Sequence, residues 1–359
     1  MSHNTTMGKF LTATIAVFAA FFAYTPSSSW QDAHFSDEPA PAWPEGAKYV
    51  SVPGAQGLVH QAITAGPAPA ESKGVIVFCH GFPETARSWL PYISHYAAAG
   101  YHVLAPDLRN VNNTVAPNNN NDLSLDLLAD DLLAVVKSTG QEKAIVVGHD
   151  WGAGAAWAFA LKYPAHAQSL VSMSVPHLEL YRSFNVWRLP YSVDHEWYFL
   201  FFGLTGPVAR WKAALGDFGW FTKWGFGTSD PGAFSKAEVA SFKSVWERDM
   251  ASATRSPLTG WYWMGNMLIL KGLLPASVTG GGLCASMWSD GETPSKTPTL
   301  QLFGGRDNYI NPSMFGHASN KEYVAHTNKR TVIFDATHWV NHEKKTECMA
   351  EMDSFFAGL

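Results

Sequence analysis

Asp150 carries the sharpest chemical signal in this chain. It stands in the run Gly148-His149-Asp150-Trp151-Gly152-Ala153, between the apolar stretch Ala144-Ile145-Val146-Val147 and the small residues Gly154, Ala155 and Ala156. A short strand turning at once into a helix around small-x-nucleophile-x-small is a nucleophile elbow. The glycines allow the tight turn, and the central side chain is lifted over the end of the sheet. The commoner central residue is Ser, which needs a base before it attacks an acyl carbon. A carboxylate is already anionic and can displace a leaving group from saturated carbon. The plainer reading of Asp150, a helix N-cap, does not call for glycines on both sides.

Three further clusters fit around it. His80-Gly81-Phe82-Pro83-Glu84 follows the apolar run that ends at Cys79. A glycine-containing loop there can aim the N–H of Phe82 over the sheet, beside the N–H of Trp151. Two such donors at about 3 Å make an oxyanion hole, commonly worth a few kcal/mol of transition-state stabilisation. An ordinary tight loop is the alternative. Gly304-Gly305-Arg306-Asp307 again follows a strand pattern and offers a carboxylate to orient a histidine. His338-Trp339 lies between Thr331–Phe334 and the last helix, so His338 is the candidate base among 14 histidines. His149 is expected to pack under the elbow and His80 to shape its own loop. His177 either lines the pocket or ends a strand.

These groups need a scaffold that presents loop ends on one side. Strand patterns fall at Lys48–Val52, Leu58–Thr64, Val75–Cys79, His102–Ala105, Ala144–Val147, Leu170–Val175, Thr299–Phe303 and Thr331–Phe334. Helical patterns lie between them, including Leu123–Val136, with Asp126, Asp130 and Asp131 on its expected solvated face, and Lys345–Phe356. Such alternation predicts an α/β fold with a mostly parallel sheet and helices on both faces. From Pro176-His177 to Pro298 the chain turns helical and aromatic instead, which reads as a lid or as an ordinary second helical domain. The segmentation is residues 1–29 as an N-terminal signal, 30–177 and 297–359 as the two parts of the core, and 178–296 as a helical cap.

With 359 residues, 47% hydrophobic, the chain can bury one large core plus an added module. A net charge of −5 and no basic run argue against nucleic-acid binding. Lys9 precedes an uncharged apolar stretch from Phe10 to Tyr24, followed by Thr25-Pro26-Ser27-Ser28-Ser29. That stretch falls short of the roughly 20 residues that span a bilayer and matches a signal peptide. A signal-anchor giving membrane association is the alternative. The chain is thus expected to be secreted, in an endomembrane lumen, or membrane-anchored. Asn112-Asn113-Thr114 is a glycosylation sequon. Cys79, Cys284 and Cys348 are too few for a disulfide framework or a zinc site, and a single Cys284–Cys348 bridge is left open.

Together the H-G-F-P-E loop, G-H-D-W-G-A elbow, G-G-R-D loop and T-H-W segment resemble the α/β-hydrolase-fold epoxide hydrolases, from about Tyr49 to the C-terminus. The resemblance implies an α/β-hydrolase fold with an inserted helical cap. Asp150 would be nucleophile, His338 base, Asp307 its acidic partner, and Phe82 and Trp151 the oxyanion donors. It also implies two cap tyrosines that hold and protonate the epoxide oxygen. Tyr198 stands four residues before Phe202, with Gly203 replacing the family's glutamine, and Tyr262 lies in Pro257-Leu258-Thr259-Gly260-Trp261-Tyr262. Either tyrosine could instead be lid packing. The expected partners are a small apolar epoxide and water, with no metal or organic cofactor. Haloalkane dehalogenase, which shares the fold and the Asp nucleophile, is the enzymatic alternative. A non-catalytic hydrolase-fold binding protein is the alternative of another class. After Asp107-Leu108-Arg109 the family's glycine turn gives way to Asn110–Asn121, read as a solvent-exposed loop.

Overall fold

A computed structural model describes residues 33–112, 114, 123–178, 180, 219–251, 297–316 and 329–359. Its centre is an eight-stranded sheet made of β1 (Lys48–Pro53), β2 (Val59–Ala65), β3 (Val75–Cys79), β4 (His102–Pro106), β5 (Ala144–His149), β6 (Ala167–Met173), β7 (Thr299–Gly304) and β8 (Lys329–Phe334). The order across the sheet is β1-β2-β4-β3-β5-β6-β7-β8. β2 runs antiparallel to both β1 and β4, and every other pairing is parallel. Parallel strands leave their carboxyl ends on one side, so the loops after β3, β5 and β7 gather there.

Central strands of such a sheet are buried on both faces, which is why they read as continuous apolar runs. β3 is buried throughout. Its Val75, Val77 and Cys79 pack with Leu128 and Trp157, from the helices α2 (Leu125–Ser138) and α3 (Trp151–Lys162). Ile76 and Phe78 turn to the other face. There they meet Trp89, Tyr92 of α1 (Leu90–Ala98) and Met352 of α7 (Lys345–Phe356). Ser124 starts α2 by accepting the Leu127 N–H at 3.1 Å, an N-cap. Within the insertion the described residues form α4 (Gly219–Phe226) and α5 (Lys236–Ala251). A four-residue helix, α6 (Val340–Glu343), comes after His338. No helix among the described residues is long and apolar enough to cross a membrane.

Two expectations are corrected. Asp131 is buried rather than solvated: Arg109 donates to its Oδ2 from Nε at 2.8 Å and to its Oδ1 from Nη2 at 2.7 Å, and Ala55 N–H also reaches Oδ1. The helical period showed the face but not the cation that a distant loop brings to it. The described start of the Asn-rich segment is also inside, since Asn110, Val111 and Thr114 are buried. Asn112, the sequon asparagine, donates its N–H to Asp249 at 2.7 Å and its side-chain amide to Asp107 at 2.5 Å. Cys348 is a free, buried thiol that donates to Val340 O at 3.6 Å, and Cys284 lies outside the described residues.

Candidate active site

Asp150 follows the last residue of β5 and precedes the first of α3, with φ 52° and ψ −124°. That backbone region is costly for a residue with a Cβ, on the order of 1–3 kcal/mol. Packing enforces it. A Cβ on Gly148 would strike the Gly152 carbonyl, and one on Gly152 would strike the Cys79 carbonyl of β3. The elbow therefore closes on itself and on the neighbouring strand. Asp150 N–H donates to Met173 O at 3.2 Å, and Asp150 O accepts from Gly154 at 3.1 Å.

The two carboxylate oxygens have different neighbours. Oδ1 accepts the Phe82 N–H at 2.8 Å, and Oδ2 lies 3.3 Å from His338 Nε2. The approach of the Phe82 loop requires glycine at 81, where a Cβ would sit 2.5 Å from that of Asp150. His338 Nδ1 donates to Asp307 Oδ2 at 2.8 Å. Asp307 Oδ1 is held by the N–H groups of Tyr309 at 2.7 Å and Ile310 at 2.9 Å. With Nδ1 committed to a carboxylate, Nε2 is the nitrogen aimed at the nucleophile position. The side chains of His338 and Asp307 are 2% and 0% exposed against 14% for Asp150, so Asp150 is the member a ligand can reach.

Burial alone would pull the His338 imidazole down. The carboxylates of Asp307 and Asp150 outweigh it and raise the group to about 10. Its ring stands edge-on to Tyr309, with centroids 5.1 Å apart, and Tyr309 O–H reaches Gly225 O at 3.4 Å. His80 shapes its loop as expected. Its Nε2 accepts the Leu108 N–H at 3.0 Å, so Nδ1 carries the hydrogen donated to Gly81 O at 2.8 Å.

Among the described residues the fold brings together Asp150, His338, Asp307 and Phe82, while Trp151 opens α3 directly beside them and is 9% exposed. Tyr198 and Tyr262 lie outside the described residues. His177 is buried edge-on to Trp157, with centroids 4.8 Å apart. His149 does more than pack: its Nε2 donates to the His338 carbonyl at 2.9 Å, which also accepts from Ser174 Oγ at 2.7 Å. Its Nδ1 meets Glu84 Oε2 at 2.7 Å. Glu84 is fully buried; burial pushes its carboxyl up, but His149 and His342 pull harder and hold it well below the usual carboxylate range. Sequence reasoning missed Glu84, His342 and Ser174 as parts of this site. A carboxylate inside an otherwise apolar loop was the one available hint.

The model for the α/β hydrolase fold matches residues 74–204. The chain is 29% identical over 282 residues to the AB hydrolase superfamily protein YfhM of Bacillus subtilis, covering 77% of this chain and 88% of that protein. It is 25% identical over 277 residues to human epoxide hydrolase 4, covering 77% and 70%. The crystal structure of epoxide hydrolase A from Mycobacterium thermoresistibile superposes with a TM-score of 0.66 at 25% identity, covering 87% of this chain and 99% of that one. The chain has the α/β-hydrolase fold and is similar in sequence to epoxide hydrolases of that fold.

The site has a cover. α5 lies over the His80–Glu84 loop: Trp246 Nε1 donates to Pro83 O at 2.7 Å, and its ring meets Phe82 edge-on at 4.4 Å. Phe226 and Phe234 pack on Trp339, the residue after the histidine. Asp230 joins the segment between α4 and α5 to the loop after β7 and to α6. Its N–H donates to Glu343 at 2.8 Å, and its carboxylate takes two bonds from Arg306, at 2.9 and 2.7 Å. Residues 34–37 strap the same segment from outside, through Ser36 N–H to Phe234 O at 3.0 Å and Lys236 N–H to Ser36 O at 2.9 Å.

Proposed function

We propose that this hydrolase opens epoxides with water to vicinal diols through an alkyl ester on Asp150. The observation that carries the reading is the division of the Asp150 carboxylate, one oxygen on a backbone donor and the other toward an imidazole backed by a buried carboxylate. Oδ2 attacks one ring carbon, the carbon–oxygen bond of the epoxide breaks, and the departing alkoxide takes a proton. Strained as they are, epoxides leave poorly as alkoxides, so an acid is needed. The resemblance to epoxide hydrolases gives that role to Tyr198 and Tyr262.

Esterification removes the Asp150 charge, one of the groups that hold the His338 proton. The imidazole then yields that proton to solvent and becomes a base, oriented by Asp307. It takes a proton from water, whose oxygen adds to the carboxyl carbon of Asp150. The oxyanion rests on the Phe82 and Trp151 amides. Collapse breaks the ester, His338 protonates the diol oxygen, and Asp150, freed as a carboxylic acid, returns its proton to His338 while solvent reprotonates the tyrosine. No metal or organic cofactor enters this sequence. We also read residues 1–29 as a signal peptide or signal-anchor, which N-terminal sequencing of the mature protein tests.

A panel of aryl and aliphatic epoxides, assayed beside haloalkanes on the wild type and Asp150→Ala, tests the activity. Diol formation lost in the variant supports the reading. Halide release without diol formation overturns it in favour of dehalogenation. Tight binding without turnover of either class overturns it in favour of a binding protein.

A further inference from the structure

Four titratable side chains that the reaction does not use are buried together behind the catalytic histidine. Glu84, His149 and His342 belong to the core, and Glu238 to the first turn of α5 in the cap. Glu84 Oε1 accepts from His342 Nε2 at 2.7 Å and Asn341 Nδ2 at 3.0 Å. Its Oε2 meets His149 Nδ1 at 2.7 Å and the Gly81 N–H at 3.1 Å. His149 faces an acceptor on both sides, a carboxylate and the His338 carbonyl, so both ring nitrogens must donate. His342 stands between two carboxylates, with Nδ1 3.5 Å from Glu238 Oε1.

Glu238 is aimed by its own helix. Ser235 Oγ accepts the Glu238 N–H at 3.1 Å, while Ser235 N–H donates to Glu238 Oε2 at 3.4 Å, a capping box. One oxygen thus caps α5 and the other turns to His342. The Phe234 ring covers the imidazole, with centroids 4.2 Å apart. Tyr92 O–H, donating to Asn341 O at 3.0 Å, is the polar group nearest from α1.

We propose that Glu84, His149, His342 and Glu238 form one charge-balanced positioning cluster, two carboxylates against two imidazolium rings, through which the cap sets the proton affinity of His338. The proposal rests on His338 being the base of the hydrolysis. His338 faces Asp307, Asp150, Tyr309 and His149 directly, the two imidazole rings lying 5.0 Å apart, and its carbonyl also accepts from His149. Removing one cluster charge changes the potential at its ring. For unit charges about 10 Å apart at an effective dielectric near 20, such a shift is on the order of one pH unit. His342→Gln removes a positive charge, so His338 keeps its proton to higher pH. Glu238→Gln removes a negative charge, so His338 gives up its proton at lower pH. The double variant restores balance.

The test tracks the His338 ring proton by NMR against pH in histidine-labelled full-length protein, assigned by its loss in His338→Gln. Opposite shifts in the two single variants and a return toward wild type in the double support the cluster. Unmoved titrations, shifts of one sign, or a double variant that does not return toward wild type overturn it. If His342→Gln does not fold, Glu238→Gln at the cap edge still decides by direction. Because no substrate is present, a failed epoxide assay and a failed cluster are separate results. Where turnover is measurable, the pH profile of kcat should move in the same directions.

Discussion

In the proposed reaction Asp150 attacks as a carboxylate, and its carboxylate together with that of Asp307 holds the proton on the His338 imidazole beside it. Asp150→Asn mimics the charge of the ester. Its His338 should therefore titrate below the value of about 10 that the intact pair produces, because one of the raising charges is gone. Its steady-state activity should fall at least about 10⁴-fold. An unchanged His338 titration would sever the link between esterification and base release. The same pair makes stability pH-dependent. The folded-state value lies above the ordinary 6.5, so the contribution is fully present below that pH and is lost as pH rises through about 10. Chemical denaturation from pH 7 to about pH 10 should show stability falling with rising pH, and a flat profile for His338→Gln over that window.

At the scale of elements, the site is made by four strand ends, those of β3, β5, β7 and β8, and the turn or loop that leaves each. The loop after β3 supplies the Phe82 N–H, and Gly81→Ala should drive it away from Asp150. A loss of about 10²-fold in kcat is expected with retained fold, as for removal of one oxyanion donor; unchanged kcat would deny that loop its role. Ser124→Ala should cost about 1 kcal/mol in thermal or chemical unfolding and leave kcat alone, since the cap it removes belongs to α2. Elements of this kind were legible in the chain. β3 was bounded as Val75–Cys79 because a doubly buried strand must be apolar at every position, and Lys345–Phe356 was bounded at both ends. Asp150, Asp307 and His338 were legible because each comes after a strand within a glycine-containing or short turn. Pairings across the fold were not. Glu84 and His342 are 258 positions apart, and Asp131 meets Arg109 only because β4 ends beside α2. No periodicity encodes which distant side chain will neutralise a buried charge.

At the largest scale, the described part of the insertion is stitched to the loops around the candidate site. Trp246 ties it to Pro83 after β3, Asp230 to Arg306 after β7 and to Glu343 of α6, and Glu238 to His342 of the same α6. Trp246→Ala would remove a fully buried ring against Phe82, a change costing about 3–5 kcal/mol in well-packed cores. A lowered melting temperature with raised KM is expected, and wild-type values of both would show that α5 does not seat the cover. The reaction itself is tested most directly by one turnover in water enriched in heavy oxygen, with enzyme in excess over epoxide. Mass spectrometry of the peptide containing Asp150 should then find the label in its carboxylate and the diol unlabelled. Label in the diol and none in Asp150 would mean that water attacks the ring directly and no ester ever forms.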